Sequence, residues 1–114
     1  MSSKGIMQRL NSCIVELSKN NSELKALALR KAICEKAYKV KKAEEILKLK
    51  TEKYPETLII DIVNGSEEIA ELRLQRDLAE DAYNTCVNSI QNLILEVEAI
   101  RTKLKWLKAE INNW

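Results

Sequence analysis

From Ser66 to Trp114 the chain runs 49 residues without a Gly or Pro, and its apolar residues keep a strict 3-4 rhythm. One row of sevens is Ile69, Arg76, Tyr83, Ile90, Val97, Leu104 and Ile111; the other is Leu72, Ala79, Cys86, Leu93, Ile100, Leu107 and Trp114. Only Arg76 interrupts them. A two-row heptad of this length predicts one helix with a narrow seam shaped for another helix. Such a helix would be roughly 70 Å long. No compact domain of this size hides a rod of that length, so a partner helix is required.

The partner is found upstream. A second row runs Ile6, Leu10, Cys13, Leu17, Asn20, Leu24, Leu27, Lys31, Cys34, Tyr38. It is leakier, with Asn20 and Lys31 in apolar slots. Asn20-Asn21-Ser22-Glu23 is its weakest point and is open to a kink, because Asn and Ser compete for backbone hydrogen bonds. After Cys34 the seam drifts, and Ile33, Ala37, Val40, Glu44 and Leu47 make an alternative stripe one position earlier. At the start, Ser2 or Ser3 would cap the helix only weakly, with Gly5 close behind. Tyr54-Pro55 ends the helix, since the residue before Pro leaves the helical region and Pro fits a new first turn. A short helix over 55–63 carries Leu58, Ile59, Ile62 and Val63. Asn64-Gly65 stops it, with Gly65 suited to a left-handed position. Ser66, or Asn64 with Glu67, caps the third helix.

The expected fold is therefore all-α and a single domain, 1–114: a long antiparallel, coiled-coil-like hairpin of helices 1–53 and 66–114, with the short helix at its tip. A turn centred near residue 60 pairs Ile6 with Trp114, Leu10 with Ile111, Cys13 with Leu107, Cys34 with Cys86 and Tyr38 with Tyr83. Arg76 and Lys31 in the seam would help to set register. Apolar residues left over outside the seam (Leu58, Ile59, Ile62, Val63, Leu74, Leu78, Val87, Ile94, Leu95, Trp106) predict an interface. Self-association to a dimer or a larger bundle would cover it.

Composition narrows the chemistry. There is no His and no C-x-x-C, and the three Cys are far apart. That excludes a Ser-His-Asp triad, a His-ligated zinc and a thioredoxin-type motif. No cofactor or metal is expected, and no catalysis. The absence of a signal peptide and of a long apolar run predicts a cytoplasmic protein that avoids membranes. Charge is unevenly spread: residues 1–53 carry 13 Lys/Arg against 6 Asp/Glu, and residues 54–114 carry 6 against 11. The two halves neutralise one another if they lie side by side. An alternative is a basic nucleic-acid or signalling-nucleotide surface built from Lys36, Lys39, Lys41, Lys42 and Tyr54, with Lys103, Lys105 and Trp106 as a second cluster.

The stretches Ile46-Leu47-Lys48-Leu49, Tyr54-Pro55-Glu56-Thr57-Leu58-Ile59, Asn64 to Arg73 and Arg76-Asp77-Leu78-Ala79-Glu80, with Tyr83, carry a resemblance. Over roughly residues 31–114 the chain resembles small all-helical early proteins of phages and prophages of low-GC Gram-positive bacteria. Those are encoded near single-strand annealing and single-strand-binding genes. The resemblance implies residence in a host cytoplasm. It also implies an oligomeric, non-enzymatic module that modulates a host or phage replication, recombination or defence protein.

Overall fold

A computed structural model describes residues 3–112. The fold is all-α, a long helical hairpin of three helices: α1 (Ser3–Thr51), α2 (Glu56–Gly65) and α3 (Glu67–Asn112). Ser2 and Trp114, and with them the expected Ile6–Trp114 pair, lie outside the described residues. The chain divides into two compact units, one of residues 1–25 with 84–114 and one of residues 26–83.

α1 continues as helix through Asn20-Asn21-Ser22, where the Ser22 hydroxyl donates to the Ser18 carbonyl. Its expected seam is its inward face. Ile6, Cys13 and Tyr38 are buried, and Leu10, Leu17, Leu24, Leu27 and Cys34 are half-buried. Beyond Cys34 the seam does not shift. Tyr38, Lys41, Lys42, Glu45, Ile46 and Leu49 carry it on, whereas Ile33, Ala37, Val40, Glu44 and Leu47 are all exposed. The seam tolerates charge here because long side chains cover apolar surface with their stems while their heads reach water or a partner.

The α1 terminus is built on Lys53, the only non-Gly residue with positive φ (67°) among those described. The Tyr54 N–H donates to the Leu49 carbonyl and the Lys53 N–H to the Lys50 carbonyl, both at 3.1 Å. This is the double bond pattern of a Schellman cap, with Lys where Gly is usual. Gly65 does not take the left-handed role expected of it. It ends α2 with negative φ, and the break falls at Ser66, whose extended backbone (φ −64°, ψ 132°) opens α3. The Ser66 carbonyl accepts the Ala70 N–H at 2.9 Å, and Glu67 and Glu68 occupy the favourable first turn.

In the unit of residues 1–25 and 84–114, Cys13, Leu93 and Val97 form the core, flanked by Leu10, Leu17 and Ile100. Cys13 therefore faces Val97 and not Leu107, so the expected register is off by about three helical turns. The Cys86 thiol likewise meets the Asn20 carbonyl, at 3.5 Å, where the expected register set Cys34. Asn20 also donates to the Ser89 hydroxyl at 2.9 Å, and Arg9 grips Glu96 through two of its guanidinium nitrogens, Nε and Nη2. At the end of this unit Ser3 lines a shallow cleft with Leu107, Glu110 and Ile111. Ile111 is 73% exposed.

In the unit of residues 26–83, Tyr38, Ile59, Val63 and Ile69 make the core, with Ile46, Leu49 and Leu72 against it. This explains the register. α2 packs beside the last turns of α1, in the space a symmetrical turn would have given to α3. α3 therefore starts opposite the Lys41 region, where Lys41 meets Glu68 at 3.7 Å. Two of the seam cations lie on a tyrosine of the facing helix: Lys31 is 4.7 Å from the Tyr83 ring centre and Arg76 is 4.3 Å from that of Tyr38.

Candidate interaction surfaces

The two flanks of the 26–83 unit differ. On a helix, a residue four places after a seam position is turned about 40° to one side, and one two places after it about 160° to the other. Leu49 and Arg73 follow the seam residues Glu45 and Ile69 by four. Both face α2: Leu49 packs in its core, and Arg73 donates to the Asn64 carbonyl at 3.3 Å. Ile33, Val40 and Leu47 follow the seam positions Lys31, Tyr38 and Glu45 by two, and Leu78 follows Arg76 by two. They therefore lie on the outer faces of α1 and α3, each turned away from the facing helix. With Leu29 and Leu74 they are all exposed, Ile33 by 57% and Leu47 by 67%.

These exposed residues differ in part from those of the expected interface. Ile59 and Val63 are not available to a partner, because they anchor α2 to the seam and are almost wholly buried. Leu58 and Ile62 remain exposed on the outer side of α2, and Leu74 and Leu78 are exposed on α3. Val87 is half-buried. In the other unit, Ile94, Leu95 and Trp106 are exposed, Trp106 by 69%. Sequence reasoning did not place Leu29, Ile33, Val40 or Leu47 at an interface. Ile33, Val40 and Leu47, spaced by seven with Ala37 and Glu44 between them, read as an alternative course of the seam, and Leu29 carries no such signal.

The basic residues are more engaged than their sequence suggests. Lys41 lies within 4 Å of Glu44, Glu45 and Glu68, and Glu68 above all raises its pKa. Lys39 pairs with Glu35 at 3.2 Å. Lys42 donates to the Tyr38 hydroxyl at 3.3 Å. That bond, with lesser help from Arg76 and Arg73, lowers the Tyr38 pKa against the effect of burial. Lys36 and Tyr54 are exposed, as are Lys103 and Lys105 beside Trp106. Burial raises the Cys13 pKa, so its thiol is a small apolar core group.

Among the described residues no three of Cys, Asp and Glu converge as metal ligands, and no helix is long and apolar enough to cross a membrane. No protein-family model, curated protein or solved structure matches the chain.

Proposed function

We propose that this protein is a non-enzymatic helical interaction module, which associates with itself and with a further protein through the outer face of α1 in its 26–83 unit. One observation carries the reading. Leu29, Ile33, Val40 and Leu47 stand exposed along one face of α1, in a unit whose own core is already closed. A row of apolar side chains left in water on one helix face marks a protein contact. Arg76, the one polar interruption of the α3 rows, is held by Tyr38 and Asp77. The sequence resemblance adds that the further partner is a replication, recombination or host-defence protein of a phage-infected cytoplasm.

Sedimentation equilibrium tests self-association. The wild-type chain should associate, and the double variant Ile33→Glu, Val40→Glu should sediment as the 13.1 kDa monomer with unchanged helicity. A wild-type monomer at every concentration would remove the reading.

A second reading has one observation in its favour. Trp106 is exposed between exposed Lys103 and Lys105, as a base-stacking residue in a cationic groove would be. Binding of single-stranded DNA that falls steeply with salt and is lost in Trp106→Ala would support it.

A further inference from the structure

We infer that the outer face of α1 in the 26–83 unit takes the outer face of α3 from the same unit of a second copy, so that copies add head to tail. This rests on the interaction-module reading and adds the occupant and the way the assembly grows. The α1 face is an aliphatic row with basic company. Leu29, Ile33, Val40 and Leu47 follow one another at intervals of four, seven and seven residues. That spacing keeps them within about 40° of one another round the helix. Lys36, three after Ile33 and four before Val40, lies on this face, and Lys50 follows Leu47 by three. Both lysines are exposed, and neither makes an ion pair among the described residues. Glu44, at the edge of the face, is 3.9 Å from Lys41.

The α3 face is its complement. Leu74 and Leu78 stand one turn apart and are exposed by 49% and 51%. Glu67 and Asp81 lie seven residues on either side of Leu74, and Glu71 lies seven before Leu78, so the three carboxylates share the face. All three are exposed, and none makes an ion pair among the described residues. Glu71 accepts the Gln75 side-chain amide at 3.0 Å, within its own helix. The two arginines of residues 67–83 are turned away from this face, Arg73 to the Asn64 carbonyl and Arg76 to the Tyr38 ring. A leucine pair among carboxylates thus meets an aliphatic row among lysines. Contact of α1 with α1 sets Lys36 and Lys50 against lysines, and contact of α3 with α3 sets carboxylates against carboxylates. Juxtaposed like charges oppose both. Because the two faces are on opposite sides of the unit, each contact leaves every copy one free face. Such a heterologous contact extends past a dimer instead of closing as a two-fold pair.

The test blocks each face separately. Ile33→Glu with Val40→Glu spoils the α1 row, and Leu74→Lys with Leu78→Lys spoils the α3 pair. All four positions are exposed, so circular dichroism should show wild-type helicity in both variants. In sedimentation the wild-type chain should pass the mass of a dimer as concentration rises, and each variant alone should stay monomeric. An equimolar mixture should stop at a dimer, because one variant keeps its α3 face and the other its α1 face. Lys36→Glu with Lys50→Glu should weaken association about tenfold. Four results overturn the head-to-tail contact and leave the module reading in place: a wild type that stops at a dimer, an α3-face variant that associates as wild type does, a mixture that stays monomeric, or a charge variant that associates unaltered. A wild-type chain that never associates removes both.

Discussion

Arg76 lays its guanidinium on the Tyr38 ring, 4.3 Å from the centroid, and so a cation fills a seam position without being buried bare. Its Nη2 also reaches Asp77 at 3.0 Å. The ring is nearly inaccessible to solvent and forms part of the core that anchors α2. Tyr38→Ala should therefore cost about 3 kcal/mol in urea denaturation. Arg76→Ala should cost about 1 kcal/mol, the scale of a partly exposed cation–π contact. Equal small losses in both would show that the stack contributes nothing.

The Tyr38 hydroxyl should ionise below the ordinary tyrosine range, because the Lys42 ammonium donates to it and Arg76 lies close. Ultraviolet titration of the folded protein should show an early phase, and Lys42→Met should shift that phase to higher pH. The same titration curve for both proteins would contradict the assignment.

α2 is fixed by one face only. Ile59→Ala should destabilise the fold by about 2–4 kcal/mol, whereas Leu58→Ala, on the exposed face, should change the monomer by no more than about 0.5 kcal/mol. Thermal melts of the two variants, taken at low concentration, separate these outcomes.

Lys53 holds a left-handed backbone that disfavours any side chain with a Cβ. Lys53→Gly should raise stability by about 0.5–1 kcal/mol, despite the greater freedom it gives the unfolded chain. A loss would show that the cap at the end of α1 is not the one described.

Glu96 has its carboxyl pKa lowered by the Arg9 hydrogen bond, and Arg9 is raised in return. The depressed carboxylate contributes stability above its unfolded pKa, and that contribution is lost as pH falls through the folded one. Wild type should therefore lose more stability than Glu96→Gln between neutral pH and about pH 3. Parallel pH profiles would contradict the pair.

The inward faces of both long helices were legible because their 3-4 period admits one seam. Their register was not. A slide of three, four, seven or ten residues again sets apolar rows on apolar rows, so Cys13 fits Leu107 as well as Val97. Features outside the seam decide it: the place α2 takes beside Ile46 and Leu49, and the fit of Asn20 to Ser89 and Arg9 to Glu96. The exposed stripe of α1 was visible but misassigned. Lys41 and Glu45 are charged within the true seam, while Val40 and Leu47 beside them are apolar and exposed. Hydropathy alone therefore points to the wrong side of α1.

Carbene footprinting across a dilution series reads the outer face of α1 directly. Labelling of Leu29, Ile33, Val40 and Leu47 should fall as concentration rises, while that of Leu58 and Ile62 on α2 stays constant. Labelling of that face that does not change with concentration, or protection that falls on α2 instead, would contradict the account.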